Sequence, residues 1–450
     1  MSLKQYLKTC SGVCHTTLNP KSSGVCRIHL VPPKKPKPSI PWVVIINGYS
    51  VLPLQSSWAV LLKIFIENLN KLDGMSVSDK DVDELINQTI NGATKVFPGV
   101  DKSIFKEDLG DLIKTFLDLA KGIEPDQKIG YLTLSQYAKY MASPHRMDLM
   151  LSSMEKNGRW HCNQKCLHCY AANEVMASTN ELSTFEWKRI IDKCQEAMIP
   201  QLTFTGGEAT LRDDLVELIE YSKWFVTRLN TNGILLTESL CRDLYNASLD
   251  SVQVTLYSFD KKIHNRLVGG DHFDETVRGI KNAIEAGLDV SINTPLCSLN
   301  SDYVETIKFG QSLGVKYFSS SGLIPSGNAL NEDSMITKLS REEIYKVICE
   351  AHQYAKENDL EIAFTSPGWI SERNLKIWGM VVPSCGACLS NMAVCPNGDV
   401  VPCQSWLNGQ TLGNLLEDDW KKIWNNKETK KIRNLAATKK QVCLLKGGSK

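Results

Sequence analysis

The run Trp160-His161-Cys162-Asn163-Gln164-Lys165-Cys166-Leu167-His168-Cys169-Tyr170 constrains this chain more than any other stretch. Three cysteines at C-x3-C-x2-C spacing on a short loop can each carry a thiolate to a different corner of a four-iron cluster. The fourth iron then has no protein ligand, and an open coordination position is how a metal site admits a substrate or cofactor. The same loop can instead close a Cys3His zinc knot through His161 or His168.

Composition narrows the setting. A chain of 450 residues has room for two or three domains with their own cores. A hydrophobic share of 42% with 22% charged residues is that of a soluble globular protein. Lys and Arg number 51 against 50 Asp and Glu, so no global field draws nucleic acid or an anionic membrane. No signal peptide is expected, and the most apolar window, 58–69, is too short to span a bilayer and is broken by Lys63, Glu67 and Asn68. Fifteen cysteines without an export signal point to thiolate chemistry in a reducing cytoplasm. Cys194, Cys241, Cys297 and Cys349 fall in apolar patterns and are expected to be small core residues.

Residues 1–41 contain a near-repeat, Ser11-Gly12-Val13-Cys14 and Ser23-Gly24-Val25-Cys26, that fits two strands across an Asn19-Pro20 turn. Cys10, Cys14, Cys26 and His15 can form a metal site or be the buried thiols of that hairpin. The Pro/Lys-rich stretch 31–41 reads as a stiff, solvated linker. Strands at 43–46 and 49–54 about Asn47-Gly48 form a second hairpin. Helical patterns follow at 58–69, capped by Ser56 or Ser57, and at 81–96 and 106–120. Residues 123–145 form a connector with one short helix.

From 146 strands and helices alternate. Strands are expected at 148–153, 201–205, 225–230, 251–256, 289–294 and 316–320. Between them lie helices at 213–222, 237–246, 274–286 and 301–312, after one at 184–197 opened by the capping box Ser183-Thr184-Phe185-Glu186. Such repetition makes a parallel sheet with right-handed crossovers. Six units are too few for a closed eight-fold barrel, so the fold class is α/β, with a partial (β/α)6 barrel over 146–340. An N-terminal winged-helix-like α+β domain precedes it and a small cysteine-rich extension over 341–450 follows. Ligands should gather at the carboxyl ends of the barrel strands.

Directly after the second of these strands stands Thr205-Gly206-Gly207-Glu208. Two glycines let backbone pass close to a ligand, and a carboxylate beside them can hold an ammonium group. With this motif on the strand that follows the cysteine loop, residues 146–325 resemble the radical S-adenosylmethionine (SAM) enzymes. The resemblance implies that Cys162, Cys166 and Cys169 ligate a 4Fe-4S cluster whose open iron chelates the methionine moiety of SAM. It also implies that Gly206, Gly207 and Glu208 face the methionyl amine, Tyr170 lies near the adenine, and Thr255, Tyr257 and Ser258 lie by the ribose. Arg266 is read as pairing with the methionyl carboxylate or as a surface salt bridge, and Ile324 as a backbone contact to the adenine. One electron then cleaves SAM to methionine and a 5′-deoxyadenosyl radical that abstracts hydrogen from carbon. No catalytic base is assigned; Asp260, His264 and Tyr257 stand near strand ends, where each can also cap or pack.

Ser384-Cys385-Gly386-Ala387-Cys388, with Cys395, Gly398 and Cys403, resembles the start of a SPASM or twitch extension, which carries auxiliary iron–sulfur clusters. The family's further cysteine run is absent, and only Cys443 remains before Gly447-Gly448. One auxiliary cluster is therefore expected on Cys385, Cys388, Cys403 and Cys443, with Cys395 as alternate, and a zinc ribbon as the competing use of the same thiols. Residues 42–122 resemble the PqqD-like domain that binds leader peptides of ribosomally made, modified peptides. Together these resemblances imply a maturase acting on a precursor peptide, with an electron donor such as flavodoxin or ferredoxin and no nucleic-acid or membrane partner. Dehydrogenation or cofactor assembly on a small molecule, and a catalytically silent scaffold, are the competing classes.

Overall fold

The computed structural model describes residues 2–10, 12–18, 26–33, 35–47, 50–72, 75, 77–120, 129, 132, 134–438 and 442–445. The Asn19-Pro20 turn, Ser11, Ser23 to Val25, Gly48, residues 123–128 of the connector and Gly447-Gly448 lie outside them. The chain divides into two compact units, Met1–Ala142 and Ser143–Lys450.

In the first unit, β1 (Cys14–Leu18), β2 (Cys26–Val31), β3 (Trp42–Ile46) and β4 (Ser50–Leu54) form one antiparallel sheet in that order. Alternate residues Cys26, Ile28 and Leu30, Trp42, Val44 and Ile46, and Leu52 and Leu54 join one core, as the two-residue period of a strand requires. Helices Ser56–Leu69, Asp79–Val96 and Lys102–Ala120 supply the rest of that core through residues such as Val60, Leu85 and Phe116. Two expectations change. The stretch 31–41 is no linker between modules, because it connects β2 to the adjacent β3 within one sheet. Ser56 and Ser57 are not the helix cap: Gln55 is, and the Ser56 hydroxyl donates to the carbonyls of Lys37 and Ile40, at 3.0 and 2.9 Å, pinning that connection. The thiols of Cys10 and Cys26 are buried and turn to the carbonyls of Tyr6 and Phe116, and no cluster of metal-ligating side chains forms there among the described residues.

The second unit is built on a nine-stranded sheet. β5 (Arg146–Ser152) leads through a small hairpin, β6 (Glu155–Lys156) and β7 (Arg159–Trp160), into the cysteine loop. β8 (Gln201–Gly206), β9 (Val226–Thr231), β10 (Ser251–Thr255), β11 (Asp289–Pro295) and β12 (Tyr317–Ser321) follow, and with β5 they are six parallel neighbours in sequence order. This is the partial barrel the alternation predicted. Beyond the sequence reading, both open edges are occupied. β13 (Glu361–Phe364) adds in parallel to β12, while β14 (Asn391–Val394) adds in parallel to β5 and carries β15 (Val400–Val401) antiparallel on its far side. The cysteine-rich extension thus continues the barrel sheet, and pairing moves its edges from β12 and β5 out to the short strands β13 and β15. Helix Lys261–Val268, just after β10, was also unforeseen. Among the described residues no helix is long and apolar enough to cross a membrane.

Candidate active site

The cysteine loop is gripped through its backbone. At one side the end of helix Lys261–Val268 accepts from it: the N–H groups of Lys165 and Leu167 donate to the carbonyls of Val268 and Leu267, at 3.1 and 2.8 Å. At the other, the Asn328 N–H donates to the Cys169 carbonyl at 2.9 Å and its side-chain amide to the Cys166 carbonyl at 3.1 Å. Gly327 makes this approach possible: it has φ +56°, and a Cβ there would stand 2.6–2.7 Å from the carbonyl oxygens of Cys169, Tyr170 and Ala172. No side chain fits that space. The Ser334 hydroxyl completes the clamp on the Leu167 carbonyl at 2.8 Å.

Gly206 and Gly207 pack on the end of β5. Gly206 has φ +142°, and a Cβ there would lie 2.5 Å from the Ser152 carbonyl; one on Gly207 would lie 2.8 Å from the Ser153 carbonyl and 3.4 Å from the Cys162 side chain. The Cys162 thiol reaches the Gly207 carbonyl at 3.3 Å. Glu208 is buried, and its Oε1 accepts from the Thr210 N–H (3.0 Å), the Thr210 hydroxyl (2.7 Å) and the Thr231 hydroxyl (2.7 Å), while Oε2 accepts from the Asn232 N–H at 2.8 Å. One oxygen is saturated by the protein, so Glu208 first braces β8 to β9 and keeps capacity only on Oε2. Asn232, which the sequence reading missed, extends the brace to the loop by donating its side-chain amide to Asn163 Oδ1 at 2.6 Å. Its signal was its place immediately after a barrel strand.

Cys162, Cys166 and Cys169 are free thiols, each partly shielded from solvent. Burial pushes Cys162 up to about 12 and Cys166 well above the usual thiol range, and the neighbouring thiols add to both. Three adjacent buried thiols become ligands only when a positive centre supplies the charge that burial withholds. The glycine cradle against Cys162 and this donor set fit an iron–sulfur cluster. The zinc knot would need His161 or His168 to join the same thiols. His161 Nε2 stands 3.4 Å from the Glu181 carboxylate, and His168 Nε2 stands 2.8 Å from the Thr337 hydroxyl, its pKa held down to about 4 by burial. His161 Nε2 and His168 Nε2 thus have partners other than the thiols, while His168 Nδ1 is buried without one among the described residues.

A second group of thiols forms in the extension. Cys385 feels the charge of Cys443, Cys388 that of Cys403 and Cys385, and Cys403 that of Cys385 and Cys443, with burial the larger cause of the upward shift in each. Cys395 stands apart, with Asp399 as its charged neighbour, in a core with Met150, Met176, Val401 and Leu407. The Arg433 guanidinium, stacked 3.9 Å over the Trp424 ring, faces Cys388.

Residues 161–310 match the model of the radical SAM superfamily, and 385–444 that of SPASM, an iron–sulfur cluster-binding domain. The chain carries a radical SAM domain and a SPASM domain. Such a domain pair implies a 4Fe-4S cluster, SAM and auxiliary iron–sulfur clusters. Among curated relatives, a probable GTP 3′,8-cyclase of Methanopyrus kandleri is 37% identical over 150 residues, a third (33%) of this chain and less than half (46%) of that protein. An AdoMet-dependent heme synthase of Oleidesulfovibrio alaskensis is 28% identical over 59% of this chain and 72% of its own length. Among solved structures, Streptococcus suis SuiB bound to SAM superposes with a TM-score of 0.60 at 17% identity, over 91% of this chain and 89% of that one. At that identity the likeness shows the fold.

Around the radical SAM loop the remaining residues take these positions. Tyr170 packs with Met150, Met154 and Cys162 against the SPASM residues Cys395 and Leu407. Thr255 ends β10, half-exposed. Tyr257 is buried, its ring 6.4 Å from His168 and 6.5 Å from His264, and its N–H donates to His264 Nδ1 at 3.3 Å. Ser258 accepts from the Asp260 N–H at 3.1 Å, and Asp260 caps helix Lys261–Val268 through the N–H groups of Lys262 and Ile263. Asp260, His264 and Tyr257 therefore cap or pack. Arg266 is exposed and makes no ion pair among the described residues, so the surface salt bridge weighed for it does not form. The Ile324 carbonyl accepts from the Ser326 N–H at 2.9 Å, and Glu174 holds the Ser326 hydroxyl and the Gly327 N–H at 2.6 and 3.0 Å.

Proposed function

We propose that this radical SAM protein modifies a ribosomally made precursor peptide, by cross-linking or another functionalisation of a C–H bond. Cys162, Cys166 and Cys169 would hold the 4Fe-4S cluster, and Gly206, Gly207, Glu208 Oε2 and Tyr170 would border SAM. Cys385, Cys388, Cys403 and Cys443 would hold one auxiliary cluster. When bound, the cluster and SAM supply an electron and a carbon-centred radical; the chain's own part is to orient the substrate and exclude water and competing hydrogen donors. Flavodoxin or ferredoxin is the class of electron donor proposed.

The observation that carries this reading is that the likeness to SuiB, which has been crystallised bound to a precursor peptide, covers 88% of this chain and so extends beyond the barrel. The first unit offers a sheet edge for a leader segment to extend by β-addition. β1 and β4 are its edges, and β4 carries Pro53, which lacks a donor and whose carbonyl already accepts from the Leu132 N–H. β1 has no proline, although its His15 carbonyl accepts from the Asn70 side-chain amide at 2.9 Å, and it is the edge proposed to receive the leader. Anaerobic, reduced protein with SAM should yield 5′-deoxyadenosine, and with a peptide encoded beside its gene a product of altered mass. Formation of 5′-deoxyadenosine with every such peptide unchanged would overturn the peptide substrate. It would favour the second reading, a small-molecule substrate, which the heme synthase relative supports.

A further inference from the structure

A cavity of about 900 Å³ opens in the second unit, with Cys443 of the extension among its lining residues. Its walls include Lys338, Arg341, Trp369, Ile370, Glu372 and Cys443. One wall touches the radical SAM loop at one remove: Thr337, next to Lys338, meets His168 at 2.8 Å. Cys443 itself also lines the cavity. The site lies off the carboxyl ends of β12 and β13, because Trp369 packs on Gly322, which follows β12, so closely that a Cβ there would stand 2.9 Å from the indole.

Among the described lining residues the unpaired charge is positive. Lys338 and Arg341 are exposed and make no ion pair among the described residues. Glu372, the acid among the lining residues, is engaged by Lys376 at 2.8 Å. Glu343, in the first turn of helix Arg341–Glu357, is folded back on the Ser340 N–H at 2.7 Å in a capping box and is not a wall residue. Two exposed cations without an ion-pair partner, lining the same pocket as an indole and an isoleucine, suit a carboxylate with an apolar neighbour. The Lys338 ammonium already stands 6.0 Å over the Trp369 ring, so the indole also orients the cation.

We propose that this cavity is a subsite for an acidic residue of the substrate peptide. Its carboxylate sits between Lys338 and Arg341, with an adjoining apolar side chain on Trp369 and Ile370, which brings the flanking residues beside Cys443. The substrate class rests on the peptide reading above; the carboxylate subsite does not. The test uses the full-length chain and two probes, acetyl-Leu-Glu-Leu-amide and acetyl-Leu-Gln-Leu-amide, with binding measured by ligand-observed NMR at low salt. The Glu probe should bind at least about 10-fold more tightly, the scale of one charge-assisted contact. The preference should shrink to within about 2-fold in the K338Q/R341Q variant, whose surface changes leave the melting temperature intact. Trp369→Ala should weaken both probes alike and leave the preference. Equal binding of the two probes to the unaltered chain, failure of both to bind, or a preference that survives in K338Q/R341Q would overturn the subsite. Because no turnover is needed, a chain that keeps the preference but leaves every precursor peptide unmodified overturns the substrate class alone.

Discussion

The two groups of cysteines in the second unit are held in opposite ways. Cys162, Cys166 and Cys169 share one short loop, and helix Lys261–Val268, Asn328 and Ser334 clamp that loop by its backbone. Cys385, Cys388 and Cys403 flank the strands β14 and β15 that extend the sheet, and Cys443 comes from much further along the chain to act on Cys385 and Cys403. The first group is set by local spacing plus a clamp; the second depends on long-range pairing. Two thiol sets of similar chemistry can therefore differ in what breaks them. The first should fail when the clamp fails, and the second when the sheet edge loosens.

The largest expected effect separates their roles. Cys166→Ser should reduce 5′-deoxyadenosine formation to background, since three ligands admit no spare. Cys388→Ser should leave SAM cleavage detectable, remove about four of about eight irons per chain and lower product formation by about 10-fold or more. Chromatography of the nucleoside with iron and sulfide analysis checks both. Loss of SAM cleavage in Cys388→Ser would erase the division of labour.

Next in size is the clamp. Gly206→Ala puts a methyl 2.5 Å from the Ser152 carbonyl at φ +142°, where a side chain is strained whatever the space. A loss of about 2–4 kcal/mol in unfolding free energy is expected, with reduced iron at the loop. Chemical denaturation and iron content measure it. Retained stability would mean that β5 yields where the packing says it cannot.

The seam between the groups should respond to pH. His145 precedes β5, its N–H donates to the Ser390 carbonyl at 3.0 Å, and its carbonyl accepts from Gln201 at 3.1 Å, so it joins the approach to β14, β5 and β8. Burial lowers its pKa from 6.5 to about 4. The unfolded chain then binds a proton that the folded chain refuses between those values. Stability is complete above pH 6.5 and falls as pH drops toward 4, by up to about 3 kcal/mol. His145→Gln should flatten that slope in a pH series of thermal melts.

How much of this was legible follows from the same contrast. C-x3-C-x2-C and Gly-Gly-Glu are local, and six strand–helix repeats are periodic, so spacing alone reached the partial barrel and the loop. β13 and β14 are four residues each, too short for a two-residue period to rise above chance, and so the extension of the sheet edges went unseen. The clamp escaped for another reason: Asn328 and Ser334 act on backbone carbonyls over 162 and 167 positions, and nothing in their own neighbourhood marks that partner. Glu208 was legible as a residue but not in its work, because the hydroxyls that saturate it stand on Thr210 and on Thr231 of the next strand.

The smallest effect sharpens the contrast most. Cys395 lies within the spacing of the SPASM motif, yet its side chain is fully buried among Met150, Met176 and Leu407, on the seam and apart from the other four thiols. Removing a buried sulfur costs packing: Cys395→Ala should lose about 1–2 kcal/mol by the cavity it leaves. Iron content and the nucleoside yield should be unchanged, since no cluster ligand is lost. Iron falling by about four per chain, as expected for Cys403→Ser, would make Cys395 a ligand and place the auxiliary cluster deeper against the barrel than the thiol grouping does.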